Sequence, residues 1–367
     1  MSEILRKTRA AMEDEGIDLL LASSPENVTY LGGVSPPSQR TVRSRHAFCI
    51  VPLEGPSTYV VIQLEERTVR PRITSDRVVA YEEFAEDPIR VVADLVTELV
   101  GTDKRVGVET SHLPARDMDR LRDYLPKADL KASDDVFQRL RLVKTADELV
   151  KLRHIGAVAE RAALTAIQEA APGDTERDIA NRITELYLEG GGDHLTMLVV
   201  GSGERSAEPN APATDKKIAP GDLLRVDVIG TMQNYCSDVA RTAILGEPTL
   251  EQQKIWSVLR EGHERTLEAM RPGALSSDLY NDYASLMDAA DLPRYHFLGH
   301  GLGITLHEDP FISSLHDVRL EEGMVMCVEP LCLIGGRFGM QLEDEILITA
   351  EGCELLTTAG PLLKIGG

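Results

Sequence analysis

The sequence predicts a two-domain α/β protein, and three observations carry that expectation. At 367 residues the chain is longer than one hydrophobic core comfortably fills, so two domains are expected. Up to about residue 143, short apolar runs alternate with helical patterns, as they do in an α/β domain. From Thr145 onward a long capped helical pattern opens a second domain, in which a helix-strand unit is echoed 100 residues later.

Within residues 1–143, the runs "IDLLLAS", "HAFCIVPL", "STYVVIQL" and "KRVGVET" read as strands, and "ARDMDRLRDYL" carries apolar residues at helical spacing. The boundary belongs near residue 143, because Thr145 and Glu148 form a Thr-x-x-Glu capping box ahead of "TADELVKLRHIGAVAERAALTAIQEA". The domains are therefore placed at 1–143 and 144–367. In the second, "APGDTERDIANRI" and "RPGALSSDLYNDY" share Pro-Gly followed by Asp, so Pro172, Gly173 and Asp178 recur as Pro272, Gly273 and Asp278. Each segment follows one helical pattern and begins another, which suggests an internal duplication.

Composition narrows the function. Hydrophobic residues make up 43% and charged residues 27%, the balance of a soluble globular protein, and no apolar stretch is long enough to span a bilayer. The amino terminus, "MSEILRKTRAAMEDEG", lacks the apolar core of a secretory signal, so a cytoplasmic location with no membrane partner is expected. With 60 acids against 39 bases, the formal charge is -21, which repels phosphate backbones and argues against nucleic acid as a partner. The 5 cysteines form no CxxC pair or close Cys/His zinc spacing, and read as reduced, mostly buried thiols.

The acids are informative in two candidate hairpins. "LLRVDVIG" and "CSDVARTAIL" flank the turn "TMQNY", and the midpoint of Asp227 and Asp238 falls between Met232 and Gln233. A turn centred there makes the aspartates direct cross-strand neighbours, with Cβ atoms roughly 5 Å apart. "MVMCVEP" and "GMQLEDEILIT" form the second hairpin, centred on Gly336, which sets Glu329 opposite Glu343. Strand alternation puts Gln341 and Glu345 on the face of Glu343 and turns Asp344 away. Glu345, farther along the strand, reads as a bystander.

A single acid in a strand is commonly just solvated. Two facing pairs are destabilising unless a cation lies between them. Between the hairpins, "YHFLGHGLGITLHEDP" sets His300 among glycines, with His296 four residues before it and His307 seven after. Four carboxylates and one imidazole match two divalent ions in charge, and the oxygen-rich set leans toward manganese, with iron, cobalt or zinc as alternatives. Two metals lower the pKa of a shared water and polarise the carbonyl it attacks, which is hydrolytic chemistry.

These segments resemble the pita-bread-fold metallohydrolases, a family that includes Xaa-Pro dipeptidase (prolidase), aminopeptidase P, methionine aminopeptidase and creatinase. "ENVTYLGG" is similar to its amino-terminal domain, "GDLLRVDVIGTMQNYCSDVART" to its two-aspartate hairpin, "GHGLGITLHEDP" to its histidine segment, and "VEP" with "LED" to its two glutamates. The resemblance implies a creatinase/prolidase-type α/β domain followed by a pseudo-symmetric α+β pita-bread domain, commonly as a homodimer. It implies that Asp227 chelates one metal, that His300 and Glu329 hold the other, and that Asp238 and Glu343 bridge them. Glu329 would relay a proton, while His296 and His307 would bind substrate and stabilise developing charge.

The departures from the family pattern fall among the substrate-binding positions. Pro209-Asn210 stands where proline-specific members carry Pro-His, "EPLCL" with Leu331 and Leu333 where they carry Glu-Pro-Gly and a Tyr, and Gln341 where they carry Arg. Asn210, Leu333 and Gln341 are thus the candidate specificity residues, and a neutral amide cannot bind a carboxylate as a guanidinium does. A basic cluster, Arg40, Arg43, Arg45 and His46, either supplies compensating charge across a dimer interface or is a solvated loop. The expected activity is dinuclear-metal hydrolysis of a small peptide or amide C-N bond. The alternatives are the same core acting on a non-peptide small molecule, and a catalytically silent binding protein.

Overall fold

The computed structural model describes residues 2–358 and 360–365. The chain divides into two compact units, Met1–Arg141 and Leu142–Gly367. In the first, six strands form one mixed sheet in the order β4-β3-β2-β1-β5-β6. They are β1 (Leu19–Ala22), β2 (Phe48–Pro52), β3 (Thr58–Ile62), β4 (Arg77–Tyr81), β5 (Arg105–Val108) and β6 (Asp129–Ala132). Its helices are α1 (Glu3–Glu15), α2 (Pro25–Gly32), α3 (Gln63–Val69), α4 (Pro88–Val100), α5 (Ala115–Tyr124) and α6 (Asp134–Leu142), the last running just into the second unit. The fully buried strands β1, β2 and β3 are the continuous apolar runs of the sequence. The edge strands β4 and β6 are only half buried or exposed, and their mixed composition hides them from an apolar-run criterion.

The second unit is built twice over. Helix α7 (Ala146–Glu169) starts at the expected capping box, with Glu148 Oε2 accepting from the Thr145 amide at 2.9 Å. It leads through α8 (Glu176–Glu189) to β7 (His194–Ser202), β8 (Leu223–Met232) and β9 (Tyr235–Leu245). The second half repeats this order: α9 (Leu250–Ala269), α10 (Ser276–Ala289), then β10 (Phe297–Gly301), β11 (Glu308–Ser313), β12 (Val325–Val328), β13 (Leu331–Ile334), β14 (Phe338–Gln341), β15 (Asp344–Thr349) and β16 (Gly352–Leu355). Strand β17 (Leu363–Ile365) returns to pair with β9.

The sequence echo corresponds to equivalent backbone events. Gly173 (φ 97°) and Gly273 (φ 89°) make the same left-handed turn, and the isolated bridges Thr175 to Lys217 and Leu275 to Arg319 follow at matching points. The two helices that begin there are each 14 residues long.

Period-2 alternation separates structural from chemical positions. Val226, Val228 and Val239 lie in the core beneath α7 and α8, while Met326, Val328, Met340, Ile346 and Ile348 lie in the core beneath α9 and α10. The residues between them, Asp227, Asp238, Cys327, Gln341, Glu343 and Glu345, therefore point to the opposite side of their strands. Among the described residues no helix is long and apolar enough to cross a membrane. All five cysteines are free, and all but the half-buried Cys353 are buried.

Strand β10 runs close against β12, and a Cβ on Gly299 would lie 2.0 Å from the Cys327 carbonyl oxygen. Gly299→Ala is expected to destabilise the protein by at least about 1–3 kcal/mol, since backbone rather than a movable side chain blocks the methyl. Thermal unfolding of the variant checks this.

Candidate metal centre

The first hairpin closes one residue later than the sequence suggests. Gln233 (φ 51°) and Asn234 (φ 66°) both adopt the left-handed conformation that two-residue hairpin loops require and that Asn tolerates. Met232 therefore pairs with Tyr235, Asp227 with Ala240, and Asp238 with Ile229. The expected direct pairing of the aspartates is corrected to a diagonal one. The shift moves each partner by two positions, so both carboxylates stay on the same face.

The second hairpin has the expected register. Its three-residue loop holds Gly336 at φ 72°, and the pairs Val328–Asp344 and Leu331–Gln341 bracket Glu329 opposite Glu343. The ladder breaks between those pairs, which frees both glutamates from strand geometry. The Glu343 amide instead donates to the Ala240 carbonyl at 3.2 Å. Asp227, Ala240 and Glu343 thus form one row across three strands, with a small residue between the two acids. Arg225, Thr242 and Gln341 form the adjacent row: Arg225 pairs with Thr242, whose hydroxyl exchanges hydrogen bonds with the Gln341 backbone at 2.8 and 2.9 Å.

His300 completes the cluster. Its Nε2 lies 3.5 Å from both Asp238 Oδ2 and Glu329 Oε1. Its Nδ1 lies 3.0 Å from the Gly301 carbonyl; that oxygen can only accept, so Nδ1 carries a proton and Nε2 is the nitrogen that faces the acids. Ligand-type atoms of Asp238, His300, Glu343 and Cys327 all lie within 4.8 Å of one another. Asp227 Oδ1, Asp238 Oδ1, Glu343 Oε1 and His300 Nε2 are buried without a hydrogen-bond partner. Orphaned atoms of this kind are costly, and a bound cation is what would satisfy them. The residues fit a divalent metal.

Burial and mutual repulsion set the electrostatics. Burial first, and then Asp227, pushes Asp238 well above the carboxylate range; burial with Asp238 and Glu329 does the same to Glu343. Glu329 rises to about 8, again chiefly through burial, with His300 opposing. Asp227 is raised by burial and partly held down by Arg225.

His307 stacks on His300 with ring centroids 4.0 Å apart, and burial and then that neighbour push it down to about 4. His296 is exposed just ahead of β10, and Asn210 lies in an exposed turn. Leu333 is buried on β13. Gln341 is buried in the cluster itself, donating from Nε2 to Glu343 Oε2 at 3.1 Å and reaching Asp227 Oδ2 at 3.5 Å.

Glu345 is not a bystander. It is fully buried, accepts from the Asp238 amide at 3.0 Å, and has room only because a Cβ at Gly156 would come within 2.5 Å of its Oε2. Asp344 faces away as expected, to Arg241 at 2.7 Å and His263 at 3.2 Å. These partners hold it below its usual range despite burial.

Sequence reasoning passed over Arg225, Arg241 and Cys327. Arg225 had a signal: it precedes Asp227 by two, so alternation puts it on the same face. Arg241 had none, because its partner Glu160, at 2.6 Å, is distant in sequence. Within the first unit, Arg40 pairs with Glu26 and Arg45 grips Glu83 at 2.8 and 3.0 Å. Together with Arg43, His46 and His112 they line a cavity of about 410 Å³.

Residues 150–350 match the model of metallopeptidase family M24, and residues 4–143 that of the creatinase/prolidase N-terminal domain. The chain is 30% identical to the Xaa-Pro dipeptidase of Pyrococcus furiosus over 97% of its length and 98% of that protein's. It is also 30% identical to a probable dipeptidase, PepE, of Mycobacterium tuberculosis, over 94% and 90%. Among solved structures, the prolidase of Thermococcus sibiricus superposes with a TM-score of 0.88 at 26% identity, covering 100% of this chain and 99% of that one.

The raised carboxyls fix how the metal-free protein responds to pH. A folded-state pKa above the unfolded value stabilises fully below the unfolded pKa, about 4.5, and that stability is lost as pH rises through about 8. Protein stripped with EDTA is expected to melt lower at pH 8 than at pH 6, with Mn2+ restoring the loss at pH 8. A metal-free melting temperature that rises across this window contradicts the arrangement. At pH 8, Asp238→Asn is expected to raise the metal-free melting temperature. It should also weaken Mn2+ binding beyond the ~10–100-fold typical of losing an outer partner, as calorimetric titration would show.

Proposed function

This chain belongs to metallopeptidase family M24 and is a metallohydrolase, and from that premise we propose that it is a dinuclear dipeptidase cleaving Xaa-Pro or related small amide bonds. The observation that carries the reading is the set of four buried carboxylates around His300, of which Asp227, Asp238 and Glu343, like His300, each hold a buried atom with no hydrogen-bond partner. Four carboxylates balance two divalent ions. The hard, oxygen-rich set favours Mn2+, with Co2+, Zn2+ and Fe2+ as alternatives. We assign Asp227 to one ion, His300 and Glu329 to the other, and Asp238 and Glu343 to both. Bound there, such ions would acidify a water and polarise a substrate carbonyl.

The chain's own residues supply the rest. Glu329, beside His300 at the break in the second hairpin, takes and returns a proton at its carboxylate. His307 is kept neutral at pH 7 by its lowered pKa, so it donates an N–H to oxygen charge developing on the substrate. His296, Asn210 and Leu333 are assigned to substrate, and Gln341 to the carboxylates, because both ends of its amide are engaged within the protein. We further propose a cytoplasmic homodimer, which rests on the family resemblance.

A second reading, the same core acting on a non-peptide small molecule, is favoured by the neutral residues at Leu333 and Asn210. Hydrolysis of a panel of Xaa-Pro dipeptides, other dipeptides and simple amides, with added Mn2+ and measured metal content, separates the two. Turnover confined to non-peptide amides selects the second, and no metal with no turnover of any amide would falsify both. Glu329→Gln is expected to lower kcat by about 10²–10⁴ with a smaller change in KM.

A further inference from the structure

Gln341 links the metal-ligating carboxylates to a buried cation. Its Nε2 donates to Glu343 Oε2 at 3.1 Å and reaches Asp227 Oδ2 at 3.5 Å, while its Oε1 accepts from Arg225 Nη1 at 2.8 Å. The oxygens it engages are one from each carboxylate. The other of each, Asp227 Oδ1 and Glu343 Oε1, is the one left without a partner. The amide therefore sorts the oxygens, taking one of each acid and leaving its twin to the ion site.

That sorting needs the amide to face one way. Reversed, Oε1 would be set against two carboxylates and the NH₂ group against a guanidinium, which has no acceptor. Arg225 excludes the reversed orientation because it can only donate, and it cannot swing aside. Its Nε donates to the Ser206 carbonyl at 2.8 Å, its Nη2 to those of Glu208 and, at 2.8 Å, Pro209, and only 2% of the residue is exposed. Thr242, between the two on β9, pins the Gln341 backbone by accepting from its amide at 2.9 Å and donating to its carbonyl at 2.8 Å.

We propose that Arg225 is a positioning residue of the metal centre, acting through Gln341 to fix which oxygen of Asp227 and of Glu343 faces the ions. The proposal rests on the metallohydrolase reading. The guanidinium touches neither carboxylate in a hydrogen bond; four of its five N–H donors go to three backbone carbonyls and the amide. It therefore serves orientation. The cation missing at 341 stands in the same row of side chains, at Arg225 across Thr242.

The test is a double-mutant cycle read by metal binding. Metal-stripped wild type, Arg225→Met, Gln341→Met and the double variant are titrated calorimetrically with Mn2+, and the visible spectrum of each Co2+-loaded protein reports ligand geometry. Each single change is expected to weaken Mn2+ binding about 10–100-fold and alter the Co2+ spectrum. The double variant should bind no more weakly than the worse single one, because both break the same chain. Arg225→Lys, which keeps a donor for Oε1, should recover part of the affinity.

Effects that add in log Kd, or a Gln341→Met protein with wild-type affinity and spectrum, overturn the proposal. If Arg225→Met does not fold, because three carbonyls lose their donor, Gln341→Met keeps those contacts and decides alone. Wild type that binds no Mn2+ and cleaves no amide removes the metallohydrolase reading as well. Wild type that binds while Gln341→Met matches it overturns only the role of Arg225.

Discussion

Four carboxylates held within a few ångströms of one another, out of water, are the constraint that the second unit is built to satisfy. Such a cluster is unstable without cations, and the structure answers in graded ways. Nearest, His300 sets its Nε2 3.5 Å from Asp238 and from Glu329 and opposes the rise of Glu329. One row back, Gln341 offers a neutral donor and Arg225 a cation occupied by backbone carbonyls. Behind β15, Arg241 joins Glu160 at 2.6 Å and Asp344 at 2.7 Å and also donates to the Ala240 and Glu343 carbonyls. It ties α7 of the first half to β15 of the second, directly beneath a metal-ligand position. Among the atoms these groups leave unsatisfied are one each on Asp227, Asp238, Glu343 and His300, which suit a metal.

Duplication gives the cluster its geometry and then departs from symmetry. Both halves place two helices against a sheet and direct alternate strand residues to the other face. The first half contributes two aspartates from one continuous hairpin, whereas the second contributes a histidine and two glutamates from a hairpin whose ladder is interrupted. The interruption matters chemically, because Glu329 and Glu343 sit where the backbone is released from pairing and can reach inward. Glycine does the same for His300, since β10 approaches β12 too closely for any side chain at Gly299.

Chemistry and specificity are separable in this chain. Its likeness to prolidases covers nearly its whole length, and the groups suited to hold metal lie on the most buried strand faces. The residues that depart from the family pattern lie elsewhere or are turned to other uses: Asn210 in an exposed turn, Leu333 buried on β13, Gln341 engaged with carboxylates. The turn carrying Asn210 is nonetheless connected to the metal centre, because the carbonyls of Glu208 and Pro209 hold Arg225 in place. A substitution there would be felt by Asp227 and Glu343 through three successive hydrogen bonds, turn to Arg225, Arg225 to Gln341 and Gln341 to the acids.

Much of this was legible in the residues. The capping box set the start of α7, Pro-Gly-Asp repetition announced the duplicated halves, and the glycine-centred loop gave the register that sets Glu329 against Glu343. Alternation alone separated Asp344 from Glu343. The Asp227 to Asp238 register was missed by one residue, because which two residues of "TMQNY" adopt positive φ is decided by local backbone energetics that a midpoint cannot weigh. The role of Glu345 was missed because strand alternation gives the face of a side chain and not what packs against it; here Gly156 on α7 covers it. By itself, then, the sequence determined which face of each strand the acids share, since that follows from short-range periodicity. Only the tertiary structure decided which atoms are left unpartnered, and that Arg225 and Gln341 divide one task, because those facts depend on contacts between strands and helices that sequence order does not encode.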